Sequence, residues 1–164
     1  MLVVLGGLPG TGKSTLARLL ARRRRATWLR IDTIEQALRD CGMPEVGAAG
    51  YAVAQALAEG NLAEGRMVVA DCVNAVPESR AGWRAAAARA GAPIVEVHVL
   101  CSDPAEHRRR VLERRPDIPG LVLPDWDAVT ERRFAPWPEA HLEIDTARFR
   151  PEAAVTAIEA ALGG

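Results

Sequence analysis

Lysine is almost missing from this chain. Among its 164 residues are 21 basic side chains, and all but Lys13 are arginine. Excess charge of either sign is missing too, because 21 acidic residues cancel the basic ones. A dedicated nucleic-acid binder draws its affinity from surplus Lys and Arg, so the balance argues against that class while leaving room for a local basic patch. Cysteine is scarce. Cys41, Cys72 and Cys101 are odd in number and lack CxxC spacing, which reads as reduced thiols in a cytoplasmic protein. His98, His107 and His141 show no metal-ligand spacing. No apolar run approaches the roughly 20 residues needed to span a bilayer. The opening residues are too short an apolar stretch for a signal peptide, and neither repeats nor low-complexity linkers interrupt the chain. No membrane association is expected.

What is present fits one domain over residues 1–164, with enough apolar content to build a core unaided. The arginine bias singles out Lys13. A compact ammonium and a planar guanidinium are not interchangeable, so the position that keeps lysine is marked by chemistry before any motif is read.

Apolar runs predict strands over residues 3–6, 27–31, 67–70, 93–101 and 141–144. Helical spacing predicts helices over 13–24, 34–41, 51–62, 77–90, 103–115, 125–133 and 151–162. In the third helix Val53, Leu57 and Leu62 are the expected inner face. Asp103-Pro-Ala-Glu106 reads as a capping box, and Gly163 as a C-terminal cap. The Pro- and Gly-rich stretch 116–124 reads as a loop. Strict alternation of strand and helix predicts an α/β fold: a five-stranded parallel sheet with helices on both faces. Ligands on such sheets bind at the carboxyl ends of the strands. Gly7, Asp32, Asp71 and Asp145 all fall at or just past predicted strand ends, so one crevice should collect them.

Gly7-Leu-Pro-Gly-Thr-Gly-Lys-Ser14 matches GxxxxGK[ST], the Walker A pattern of P-loop NTPases. Its glycines let backbone N–H groups turn inward as an anion nest, and the helix that follows adds its positive dipole end. Gly7, Pro9, Gly10, Thr11, Gly12, Lys13, Ser14 and Thr15 are therefore candidate contacts for the phosphates of ATP. Lys13 reaches the β- and γ-phosphates in this reading, Thr15 lies on the α-phosphate side, and the Ser14 hydroxyl is a ligand for Mg2+.

Asp32 falls across from the γ-phosphate, where a carboxylate accepts a proton from an attacking hydroxyl; capping the helix at Thr33 is its alternative role. Asp71 closes the apolar run Met67-Val-Val-Ala70 in a Walker B arrangement, which assigns it to Mg2+, with an Asx-turn before Pro77 as the alternative. Asn74 is a candidate acceptor contact. Arg108, Arg109, Arg110, Arg114 and Arg115 crowd one predicted helix. Arg110 and Arg114 are four apart, on one face, and are the candidates to stabilise a transferring phosphoryl group; the others read as a solvated basic face. Residues 104–125 then form an Arg-bearing lid. Arg22 to Arg25 read as a structural run at a helix C-terminus. Trp126 and Trp137 read as core or as an acceptor pocket wall.

Gly7 to Thr15 followed by Asp32 resembles the P-loop kinases that include gluconate kinase, adenylylsulfate kinase, chloramphenicol phosphotransferase and the kinase domain of polynucleotide kinase. Val68-Val-Ala-Asp-Cys-Val-Asn74, then Pro77, Arg80 and Trp83, is similar to the polynucleotide-kinase-like branch, as is the Arg110–Arg114 spacing. The resemblance implies an ATP:hydroxyl phosphotransferase with Asp32 as base and Arg114 as lid arginine, and it places Asp145 where this fold holds adenine. That branch often carries an Arg three residues after the base, where this chain has Glu35, which counts against nucleic-acid 5′ ends. The leading expectation is a small-molecule acceptor bearing a hydroxyl. A nucleic-acid 5′-hydroxyl kinase ranks second, and a non-catalytic nucleotide switch third.

Overall fold

The computed structural model describes residues 1–163. In chain order the elements are β1 (Leu2–Gly6), α1 (Lys13–Arg24), β2 (Thr27–Arg30), α2 (Ile31–Asp40), α3 (Ala49–Ala63), β3 (Val68–Asp71), α4 (Pro77–Arg89), β4 (Ile94–Leu100), α5 (Pro104–Glu113), α6 (Trp126–Thr130), β5 (Leu142–Asp145) and α7 (Pro151–Ala161). The five strands form one sheet in the order β2-β3-β1-β4-β5, and every pairing is parallel.

β1 is apolar throughout because it lies at the centre of this sheet and is buried on both faces. Strand alternation divides its side chains. Val3 and Leu5 join Leu16 and Leu20 of α1 and Val155 and Ile158 of α7 in one core. Leu2 and Val4 join Ala54, Ala58 and Leu62 of α3 and Trp83 of α4 in the other. Burying each such Leu or Ile contributes roughly 1.5–3 kcal/mol.

Several local expectations need correcting. The strand predicted over 27–31 ends at Arg30, and Asp32 lies in the first turn of α2 rather than capping it; the N-cap is Arg30, which supplies no side-chain bond. In α3 the inner face is Gly50, Ala54, Ala58 and Leu62, whereas Val53 and Leu57 are exposed. The helix lies between α2 and α4 and crosses β2 and β3, and small residues let it come close. Its Gly50 shows how close: a Cβ there would stand 2.5 Å from Cγ of Glu35 on α2. The helix predicted over 125–133 is the short α6, started by an Asp125 side chain that accepts from the Ala128 N–H.

α5 begins as predicted, with Asp103 accepting from the N–H groups of Ala105 and Glu106. The reciprocal half of the capping box is absent: the Glu106 carboxylate accepts instead from Arg109 and Arg110. α5 ends at Glu113, and Arg114 turns to extended backbone (φ −62°, ψ 131°). Pro116 disfavours helix in the residue before it. Gly163 follows α7 with φ +73°, as a C-terminal cap requires.

Behind the crevice, the Arg80 guanidinium is buried. It donates to the carbonyls of Asn74, Ala75, Ala135 and Pro136, and lies 4.7 Å over the Trp137 ring. This staple ties the segment after α6 to the turn after β3.

Candidate functional site

The loop between β1 and α1 is shaped by glycine and held from outside. Gly10 and Gly12 have φ of +85° and +90°, a region that costs other residues strain. A Cβ on Gly10 would also stand 2.5 Å from Val111. Several loop carbonyls are turned to partners around the rim. Leu8 O accepts from the Thr11 hydroxyl at 2.9 Å, Pro9 O bonds His107 Nε2 at 2.8 Å, and Thr11 O accepts from the Thr146 hydroxyl at 2.8 Å. With carbonyls engaged there, the N–H groups of Lys13 and Ser14 are left for an anion, whereas that of Thr15 already donates to Gly12 O at 3.1 Å.

Gly10, Gly12, Lys13, Ser14 and Thr15 line a cavity of about 500 Å³ over this helix start, whose mouth carries Arg18, Arg109, Arg110, Arg114 and Arg115. Gly7, Pro9 and Thr11 stand differently. Gly7 is buried and donates its N–H to Val73 O, Thr11 is buried, and Pro9 faces a second cavity. Lys13 is buried and its Nζ lies 3.5 Å from Leu8 O. Burial pushes its ammonium below the ordinary lysine value, against the pull of Asp71 and Asp32.

Register brings the acids together. Arg30 and Asp71 are paired residues at the ends of β2 and β3, and Leu5 of β1 is the other neighbour of Asp71. Burial pushes the Asp71 carboxyl up, while Lys13 and the Ser14 hydroxyl pull it down. Its Oδ2 is buried without a hydrogen-bond partner. A hydroxyl and an unsatisfied carboxylate oxygen beside a phosphate cradle suit a hard cation that takes oxygen ligands, so Ser14 and Asp71 fit Mg2+. Among the described residues no group of three His, Cys, Asp or Glu side chains could hold a metal ion by itself.

Asp32 lies on the far side of Arg30. Its Oδ2 is 3.6 Å from Arg30 Nη2 and 3.9 Å from Arg114 Nη2. Asp32 and Lys13 face a cavity of about 430 Å³, walled by Glu35, Gln36 and Arg39 of α2 with Tyr51 of α3, and roofed by residues 120–124. Burial raises the Glu35 carboxyl, with Arg39 at 3.4 Å opposing. The Tyr51 hydroxyl accepts the Asn74 N–H at 2.8 Å.

Arg110 and Arg114 do not share a face, because the helix has ended before Arg114. Arg114 reaches Asp32, while Arg110 donates to the hydroxyl and carbonyl oxygens of Thr146 at 2.8 and 3.1 Å. Arg110 thereby stands between the phosphate cavity and a third cavity of about 500 Å³, lined by Gly12, Thr15, Thr146, Phe149 and Pro151 among others. Asp145 does not line that cleft. Its carboxylate accepts from the N–H and hydroxyl of Ser102 and from the Ala147 N–H, and so shapes the loop that does. Asn74 is fully buried with its side-chain oxygen accepting from Ser79, which removes it from acceptor contact. Trp137 packs in the core beside Gly6, and Trp126 lies edge-on to His107. Arg23 pairs with Glu159 of α7, in keeping with a structural role for the run at the end of α1.

Two residues that bridge the site escaped the sequence reading. Arg30 was hidden inside a strand, and Asp117 inside a Pro-rich loop. The available signal was a charged residue in an otherwise apolar strand, next in register to Asp71.

The model of the AAA domain family (AAA_33) matches residues 2–133. The chain belongs to the AAA domain family. A relative of this AAA domain in Mycobacterium tuberculosis (strain ATCC 25618 / H37Rv), the uncharacterized protein Rv2004c, is 32% identical over 160 residues, covering 89% of this chain and 32% of that protein. This AAA domain thus spans about a third of the length of the curated relatives it matches. Among solved structures, the M. tuberculosis APS kinase CysC in complex with AMPPNP and APS superposes with a TM-score of 0.74 at 19% identity, over 99% of this chain and 97% of that one. A gluconokinase from Sinorhizobium meliloti 1021 gives a TM-score of 0.66 at 19% identity, over 98% and 90%. The fold is that of the P-loop kinases, as the resemblance implied. Among the described residues no helix is long and apolar enough to cross a membrane.

Proposed function

We propose that this chain is a kinase that transfers the γ-phosphate of ATP to a hydroxyl of a small molecule. The observation that carries the reading is the position of Asp32. It stands between the phosphate loop and a roofed cavity, with Lys13 facing the same space and Arg114 3.9 Å away. A carboxylate there accepts the acceptor hydroxyl's proton as that oxygen bonds the γ-phosphorus and the bond to ADP breaks. Lys13 and Arg114 offset the charge on the transferring phosphoryl oxygens. Arg110 and the loop after Asp145 hold the nucleoside side, and residues 104–125 act as the lid. Ser14 and Asp71 would hold Mg2+, which supplies charge neutralisation at the phosphates. The unpaired Cys41, Cys72 and Cys101 support cytoplasmic placement.

The modest volume of the cavity, about 430 Å³, and the Asp32 and Glu35 carboxylates in its wall support a small acceptor over a nucleic-acid 5′ end, whose phosphates they would repel. The existence of the cavity favours transfer over a nucleotide switch, which needs no acceptor site.

The test is label transfer from γ-labelled ATP with Mg2+ across sugars, nucleosides, 5′-hydroxyl oligonucleotides and aminoglycoside or phenicol antibiotics. Labelled small-molecule product is expected. Asp32→Asn should lower transfer by about 10²- to 10⁴-fold while nucleotide affinity is kept. Full transfer by that variant refutes the base assignment, and label found only on oligonucleotides refutes the small-acceptor reading.

A further inference from the structure

Arg30 has no role in the chemistry above, yet with Asp117 and Arg114 it lines the cavity over the phosphate loop. Its side chain is only 6% exposed. A buried guanidinium is stable only when its donors meet partners, and here the partners are three carboxylates from three parts of the chain. Nη1 and Nη2 donate to the two oxygens of Asp117 at 2.7 and 3.0 Å, the bidentate geometry that a planar fork favours. Nη2 is also 3.6 Å from Asp32. Nε, which makes no hydrogen bond, is 3.9 Å from the unsatisfied Oδ2 of Asp71.

Asp117 lies in the segment that runs from α5 to the roof of the acceptor cavity. The segment is held at both ends of this stretch. Arg114, three residues before Asp117, reaches Asp32. Gly120, three residues after it, sits so close to α2 that a Cβ would stand 2.9 Å from the Gln36 amide. Asp117 itself is mostly exposed. Its ordering therefore rests on Arg30, and the same bond holds its carboxyl below the ordinary value.

We infer that Arg30 is a positioning residue with Asp117 as its lid partner. The pair latches the roof of the acceptor cavity to the strand ends and, by occupying the fork, limits how closely Arg30 closes on Asp32. Loss of Asp117 then has two effects. The roof loosens, and Arg30 turns to Asp32, which it would hold away from an acceptor. The acceptor part of this inference rests on the phosphotransfer reading; the latch does not.

The experiment compares wild type with Asp117→Asn, Asp117→Glu and Arg30→Lys. The first readout is amide hydrogen exchange of the nucleotide-free protein. Asp117→Asn should speed exchange of the Leu121 amide, which donates to Ile118 O, by about tenfold or more, leaving β1 and α1 unchanged. Arg30→Lys keeps the charge but loses the fork and should do the same, while Asp117→Glu should restore part of the protection. The second readout is steady-state kinetics with the acceptor found above. Asp117→Asn should raise the acceptor KM by about tenfold, more than it lowers kcat, and should increase the share of γ-phosphate lost to water. Wild-type exchange in Asp117→Asn overturns the latch. Faster exchange with an unchanged acceptor KM and unchanged loss to water overturns its coupling to the cavity. If the wild type phosphorylates nothing, the phosphotransfer reading fails and exchange alone decides the latch.

Discussion

Around the phosphate loop, position is set by backbone. Gly10 and Gly12 adopt conformations that favour glycine, and the carbonyls of Leu8, Pro9 and Thr11 are turned to side chains at the rim. Around the proposed acceptor cavity, position is set by side chains that bind one another. Asp32 is placed by Arg30 and Arg114, Arg30 by Asp117, and Glu35 by Arg39. The difference teaches how each half should respond to change. A backbone cradle tolerates loss of a single side chain as structure and loses only that side chain's chemistry. A side-chain network redistributes its charges when one member is removed.

The sharpest way to test the contrast is Lys13→Ala. It removes the ammonium and leaves the cradle, so transfer from γ-labelled ATP should fall by on the order of 10³-fold with the melting temperature nearly unchanged. Unfolding of the variant would break the comparison. Next comes the pair Arg110→Ala and Arg114→Ala. Arg110 is bonded to Thr146 beside the proposed nucleoside cleft, so its loss should raise the ATP KM by about tenfold and spare kcat. Arg114 faces Asp32, so its loss should lower kcat by about tenfold or more. Equal kinetic effects would mean that the two sides are not separate.

A smaller effect separates the two faces of α3, which carries Tyr51 into the cavity wall. Ala58→Leu on its inner face should cost about 1–3 kcal/mol by overpacking, whereas Leu57→Ser on its exposed face should stay within about 0.5 kcal/mol in chemical denaturation. The smallest is the acid dependence of the lid helix. Bonds from Arg109 and Arg110 hold the Glu106 carboxyl at about 2, below its ordinary 4.5. A depressed carboxylate contributes stability above its ordinary value and loses it as pH falls through the folded one. Melting temperature should therefore fall as pH drops from 4.5 toward 2, and Glu106→Gln should flatten that part of the curve.

These two halves also differed in how much of them could be read beforehand. The cradle is local: eight consecutive residues fix its conformation, and Lys13, Ser14 and the start of α1 fell where the motif put them. The apolar run Met67-Val-Val-Ala70 closed by an acid is equally local, so Asp71 at the end of β3 was foreseeable. The acceptor side depends on meetings between distant segments. Nothing in Pro116-Asp-Ile-Pro119 announces that Asp117 will lie on Arg30. Arg110 and Arg114 diverged because helix spacing was extended past the point where Pro116 stops the helix. In α3 hydrophobicity pointed to Val53 and Leu57, but space between neighbouring helices chose Ala54 and Ala58. Asp145 was placed correctly at its strand end, and its hydrogen bonds then withdrew it from the cleft.

The place of β1 in the sheet has a consequence for how the chain is made. β1 leaves the ribosome before the other strands, yet its two neighbours are β3 and β4: Leu2 lies beside Val68 and Ile94. β2, the next strand made, pairs with β3 and not with β1. No native strand pairing is therefore available to a nascent chain until synthesis has passed residue 68. Until then the apolar segments of β1 and β2 wait without partners. Sheet formation must begin with contacts far apart in sequence, which makes folding slow for a chain of this size. A growing chain stalled before β3 would be a natural client for a chaperone that binds exposed apolar strands.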